Sequence, residues 1–352
     1  MTQISRAYRK DRRCLLRVAM AGALALVFAL PTSAQSLSEP PPYKARQQVH
    51  GVIRIWGHGA LGHDYINSLV SGWEAGFSKV QPGVTFDNEL HGTASAIGAL
   101  YTRKGDIAVM GREIWPMEVE GFEEVFHHPP LGIDVLTGSL DVRNKEFALI
   151  AFTNKANPVQ HLSLPQLARI FGGVNTARTW GDLGLTDDWA DKPIHVYGFE
   201  IHRGFSYYMQ QKIFHGSPLW DPEMTELGDV KKPDGKLLDA GQRIVDAIAN
   251  DPYAVGYSSL LYKNPRVKPI PLGPPGGPFV LASQASVEDH SYPLFSKITC
   301  FIDRTPGHPV DPKLAEFLRY VLSRQGHDLA AKAGGYIPLT SELAARELQK
   351  LE

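Results

Sequence analysis

Four segments combine glycines, hydroxyls or arginines at a point where an extended apolar run gives way to a helical pattern: GHGALGH (57–63), HGTASAIGAL (91–100), GDIAVMGREIWP (105–116) and YGFEIHRGFSYYM (197–209). Free backbone N–H groups at a helix start carry partial positive charge and suit an oxyanion. Thr93, Ser95 and Ser206 add hydroxyls, and the planar guanidinium forks of Arg112 and Arg203 match a tetrahedral anion. Each segment also has a plainer reading. Thr93 and Ser95 could simply cap a helix, Arg112 could pair with Glu113 or Glu118, and the fourth loop could be only a capped helix. The first loop fits G-x-G-x-x-G through Gly57, Gly59 and Gly62, with Asp87 or Glu89 as a ribose-binding acid, so a dinucleotide-dependent enzyme is a further possibility resting on that loop alone.

Other chemistries find little support. His58, His63, His91, His127, His128, His195, His202 and His215 show no convincing ligand spacing with acids or cysteines, so no metal site is expected. There is no G-x-S-x-G elbow, and nothing assembles a nucleophile, base and oxyanion hole; no catalysis and no cofactor are expected. Basic residues Arg6, Arg9, Lys10, Arg12 and Arg13 precede the apolar run Ala19 to Leu30, and Thr32-Ser33-Ala34 offers a small-residue cleavage site. Residues 1–34 therefore read as a secretory signal peptide, for the Sec route rather than the twin-arginine route that RRCLLR at 12–17 imitates. Its removal moves the formal net charge from -1 to about -6, which leaves no basic stripe for nucleic acid. Cys300 is then the only cysteine, so no intramolecular disulfide forms, and its alternating segment KITCFID marks a buried strand thiol.

Residues 35–49, Pro-rich and polar, read as a flexible tether. Strand and helix patterns then alternate: strand 52–56, helix 64–80, strand 84–90, helix 95–102, strand 107–110. That βαβαβ order predicts a parallel sheet covered on both faces. A second set follows: strands 146–153 and 194–197, helices 205–214 and 237–250, and a strand at 253–258. Asn157-Pro158 predicts a turn, Ser163 a cap over a helix with Pro165 in its first turn, and Gly172-Gly173 its end. PLGPPGGP at 271–278 excludes helix or central strand.

The stretch FTNKANPVQHLSLPQLARIFGGVNTARTWGDLG (152–184) resembles the second lobe of phosphate-type periplasmic binding proteins: an N-K-x-N-P-V turn, an L-x-x-L-x-x-I-F-x-G helix and a W-x-x-L-G tail, in order. The segment from Tyr292 to Leu339 is similar to the family's closing pattern of Y-P-L, strand, D-P, F-L-x-Y-V-L-S helix and G-Y-x-P-L. The resemblance implies a two-lobed α/β fold of the type II periplasmic binding protein class, each lobe a sheet flanked by helices, with two crossing hinge strands. Residues 50–145 plus 293–352 would form one discontinuous lobe and 146–292 the other, with 146–153 and 297–303 side by side at the hinge. It implies capture of phosphate or a related small oxyanion by a periplasmic monomer that serves an ABC permease. The alternative is a periplasmic scaffold or sensor of the same fold with altered or lost phosphate binding.

By the same resemblance Ala60 and Leu61 occupy positions where the family carries Thr-Phe, so amides remain and a hydroxyl is lost; Thr93 falls on its ligand-binding serine, with Ser95 beside it. Asp106 matches the first Asp of a V-D-x-x-x-x-D pattern, but Gly111 stands where the second would accept a proton from hydrogen phosphate, and Arg112 follows. In the fourth loop Gly204 keeps its place, Arg203 falls on a Ser, Phe205 on a Thr and Phe199 on an Arg, while Ser206 supplies a hydroxyl one position late.

Overall fold

Apolar residues alternate between buried and accessible positions along residues 50–57, and a 17-residue stretch with helical periodicity follows. The computed structural model, which describes residues 39–59, 64–143, 145–262 and 264–352, contains two large sheets and two two-stranded ones, which pair Val230–Lys231 with Leu237–Leu238 and Leu162–Ser163 with Leu272–Gly273. Residues 1–34, predicted as a signal peptide, and the predicted ligand residues Ala60 and Leu61 lie outside the described residues. The first set of elements runs β1 (His50–Gly57), α1 (Asp64–Val80), β2 (Gly83–Glu89), α2 (Ala96–Tyr101), β3 (Ile107–Met110), α3 (Pro116–Phe126) and β4 (Leu131–Thr137). Then come β5 (Ile150–Asn154), β6 (Leu162–Ser163), α4 (Leu164–Phe171), β7 (His195–Phe199), α5 (Gly204–Ile213), β8 (Thr225–Leu227), β9 (Val230–Lys231), β10 (Leu237–Leu238), α6 (Ala240–Asn250), β11 (Ala254–Ser258), β12 (Val267–Pro269), β13 (Leu272–Gly273) and α7 (Gln284–Glu288). The chain closes with β14 (Lys297–Ile302), α8 (Pro312–Val321), α9 (Arg324–Ala333), β15 (Ile337–Pro338) and α10 (Ser341–Gln349).

The six-stranded sheet has the order β15-β4-β14-β3-β1-β2 and the five-stranded one β12-β5-β11-β7-β8. In the first, β1 pairs parallel with β2 and β3, as the βαβαβ pattern predicts, while β14 joins antiparallel to β3 and β4. Each of these two sheets has its own core. Trp73, Phe77 and Phe317 pack on Ile53 and Ile55 in one; Phe171, Trp180 and Tyr257 pack with Ile150 and Phe152 in the other. The fold is therefore a two-lobed α/β one. Local signals work as expected at α4, where the Ser163 side chain accepts from the Gln166 N–H and Pro occupies the first turn.

Three expectations need correction. The crossing segments meet at Leu149, inside the first strand predicted for the hinge, but ahead of the second: the Leu149 N–H donates to the Leu294 carbonyl at 2.9 Å and the Gly138 N–H to the Ser296 carbonyl at 2.7 Å, whereas residues 297–302 and 150–154 belong to different sheets. The segment predicted as a tether is tied down from Pro41 onward. Arg324 N–H donates to the Pro41 carbonyl, the Tyr43 hydroxyl to Glu316 at 2.6 Å, and Val49 N–H to Gln81. The helix predicted from Leu237 begins at Ala240 instead, because Leu237 and Leu238 pair with β9 and the Asp229 carboxylate, not a local cap, accepts the Ala240 N–H at 2.8 Å.

Candidate functional site

The ends of β3 and β7, the start of α5 and the crossing segments surround a cavity of about 540 Å³. Its position, beyond the carboxyl ends of parallel strands, is where open α/β sheets present ligand sites, since helix starts converge there. Thr93, Arg112, Arg203, Gly204 and Phe205, all named from sequence, line it. Ser95 and Ser206 do not. The exposed Ser95 hydroxyl donates to the Gly92 carbonyl. Ser206 is fully buried, its hydroxyl donating to the Phe199 carbonyl at 3.0 Å and lying 2.7 Å from the Tyr257 hydroxyl. A readable signal existed: Ser206, Met209 and Ile213 share the buried face of α5 at helical spacing.

The start of α5 offers the cleanest anion geometry. Arg203 is its N-cap and no side chain caps it, and a Cβ placed on the exposed Gly204 would meet nothing within 4 Å, so the first turn opens on the cavity. The Arg203 side chain is 58% exposed and its guanidinium donates to Glu200 at 2.9 Å. Arg112 is more constrained. It grips Glu118 through two nitrogens at 2.8 and 2.9 Å, donates to the Glu113 carbonyl, and stacks 3.9 Å over the Trp115 ring. The ion pair foreseen for Arg112 thus forms, but on the cavity wall, with only 16% and 14% of the two side chains exposed. Asp106 is structural, since it receives Arg54 through the side chain and the backbone N–H.

Two features escaped sequence reasoning. The place that a side chain on Gly111 would need is filled by His58, whose ring atoms lie 2.4 Å from a Cβ built there. His58 Nδ1 lies 3.3 Å from the Thr93 hydroxyl and Nε2 2.9 Å from the Tyr336 hydroxyl, which in turn accepts the Glu146 N–H at 3.4 Å. Burial pushes the His58 pKa down to about 4, with the Lys145 charge adding to the shift, so the ring is neutral at pH 7. This chain links the second loop to a crossing segment, and the missing carboxylate at 111 is its local corollary. The second feature is Glu146. Its side chain keeps some accessible surface on the cavity lining, yet the surrounding protein desolvates the carboxyl and raises its pKa to about 7, against the opposing pull of Arg112.

Close backbone approach accounts for Gly57 and Gly59 of the first loop. A Cβ on Gly57, at φ +124°, would lie 2.3 Å from the Val109 carbonyl oxygen, and one on Gly59 2.1 Å from that of Leu90. A dinucleotide is not needed to explain them. Among the described residues no three His, Cys, Asp or Glu side chains cluster as metal ligands. Of the histidines named from sequence, His91, His128, His195 and His202 each lie beside a single acid, His195 at 2.6 Å from Asp251.

A family model described as "PBP superfamily domain" matches residues 60–325. The chain belongs to that family. Among curated proteins it is similar to the phosphate-binding protein PstS of Pseudomonas aeruginosa, 27% identical over 319 residues, which cover 88% of this chain and 90% of that one. Among solved structures it shares its fold with PstS from Borrelia burgdorferi (TM-score 0.52, 13% identity, 82% of this chain and 99% of that one). The ABC-type phosphate transport receptor from Vibrio cholerae matches in the same way (TM-score 0.51, 17% identity, 81% and 99%). These relatives are binding proteins, and the chain is read as one rather than as an enzyme.

Proposed function

We propose that this protein captures phosphate or a related small oxyanion in the periplasm and presents it to an ABC permease of the inner membrane. The observation that carries the reading is the uncapped first turn of α5, which opens at Gly204 on a cavity shared with Thr93 and Arg112. Support comes from the relative named for phosphate binding. Residues 50–145 with 293–352 act as one lobe and 146–292 as the other, and the crossing segments act as the hinge on which they close. The mature protein begins near Gln35 and works as a monomer. Titration with phosphate, sulfate and arsenate, followed by calorimetry, tests the ligand; a smaller radius of gyration in small-angle scattering with saturating anion tests closure.

The charges of the cavity favour a second reading, a sensor or scaffold without tight phosphate binding. Five cations, Arg112, Arg143, Lys145, Arg203 and Lys297, face five acids, Glu113, Glu146, Glu200, Asp229 and Asp239. Ion pairs already hold Arg112 with Glu118, Arg143 with Asp239, Arg203 with Glu200 and Lys297 with Asp134. An anion must compete with these carboxylates. Absence of calorimetric binding at millimolar phosphate decides for the sensor.

A further inference from the structure

The cavity wall beside α5 is aromatic where a bare inorganic anion has nothing to gain. Phe205, the second residue of the helix, stacks on Phe147 with ring centroids 4.4 Å apart and an interplanar angle of 21°, and its centroid lies 5.1 Å from that of Phe199. All three line the cavity; Phe147 and Phe199 are buried, so Phe205 carries the accessible part of the stack. Leu227, Leu261 and Leu237 extend the apolar lining, and Leu237 stands 59% exposed on β10. A large aliphatic side chain held in water at the lining of a cleft loses solvation free energy that a ligand can recover.

The volume points the same way. About 540 Å³ lies within the range of roughly 300–1,000 Å³ typical of sites for drug-sized organic ligands, whereas a tetrahedral oxyanion has five heavy atoms. Hinge closure would narrow the cleft, but it would not dissolve this wall. Phe199, Phe205, Leu227 and Leu237 come from β7, α5, β8 and β10, elements of one lobe that a hinge motion carries as a body.

We infer that the cleft binds an organic oxyanion, a phosphate or phosphonate bearing one apolar or aryl substituent, with the charged end at the first turn of α5 and the substituent against Phe205 and Leu237. The inference rests on the proposed oxyanion function and narrows its ligand class. An aryl group gains stacking on Phe205 as well as apolar burial; methyl or ethyl groups gain burial alone.

Calorimetric titration of the mature protein with phenyl phosphate and with inorganic phosphate, at one pH and ionic strength, tests it. Phenyl phosphate is expected to bind at least about tenfold more tightly. The ratio of the two affinities should fall at least about fivefold in Phe205→Ala and in Leu237→Ser, the latter on an exposed side chain whose replacement leaves the fold intact. Inorganic phosphate binding as tightly as phenyl phosphate, or ratios unchanged in both variants, overturns the inference and leaves the oxyanion function standing. Failure of both ligands to bind overturns the two together.

Discussion

Glu146 should make this protein less stable as pH rises, against the trend its buried histidines impose. The folded chain holds the Glu146 proton to about pH 7, because burial raises the carboxyl from its ordinary value of 4.5, while the unfolded chain releases it at the ordinary value. Stability contributed by this group is thus full below pH 4.5 and lost between there and pH 7, at up to about 1.4 kcal/mol per pH unit. The total is at most about 3 kcal/mol, less whatever water in the cavity screens. His58 and His327 act in the opposite sense. Burial lowers both to about 4, so the unfolded chain takes up their protons first and stability falls as pH drops below about 6.5. The wild-type curve alone mixes these effects, so the informative quantity is the difference from Glu146→Gln, which keeps the shape and removes the titration. Urea denaturation at pH 4.5 to 8.5 should give a difference near zero at the acid end, growing to about 2–3 kcal/mol in favour of the variant above pH 7. A difference constant across that range would refute the assignment of a neutral, desolvated carboxyl at the cavity.

Three further outcomes follow from the same packing. Gly111→Asp should destabilise by about 1–3 kcal/mol through collision with His58, and His58→Ala in the same chain should recover part of that loss in a double-mutant cycle read by denaturation. Arg112→Ala should cost about 2–4 kcal/mol with or without ligand, since it leaves the partly buried Glu118 without its partner; a midpoint shift seen only with anion present would contradict the structural role. Cys300, fully surrounded in β14 with its thiol pushed up to about 12, should resist thiol reagents in the native protein and react on unfolding; labelling at the rate of a free thiol would contradict its burial.

The sequence alone determined the parallel β1-β2-β3 unit, the capped helix α4 and the close backbone approach at Gly57 and Gly59, because these depend on short-range periodicity, capping and turn chemistry. It also placed Thr93, Arg112, Arg203, Gly204 and Phe205 at strand-to-helix junctions, which the fold gathers at one cavity. Which way their functional groups face was decided by tertiary structure. Ser206 turned inward since the buried face of α5 offered it the Phe199 carbonyl, and Arg112 locked onto Glu118 once α3 brought that acid within 2.8 Å. His58 took the place of any side chain at 111 because β1 and β3 pair side by side, and Glu146 came to line the cavity because crossing segments far apart in sequence were packed together. Hydrogen-bond direction and desolvation depend on neighbours from other elements, and no local pattern encodes them.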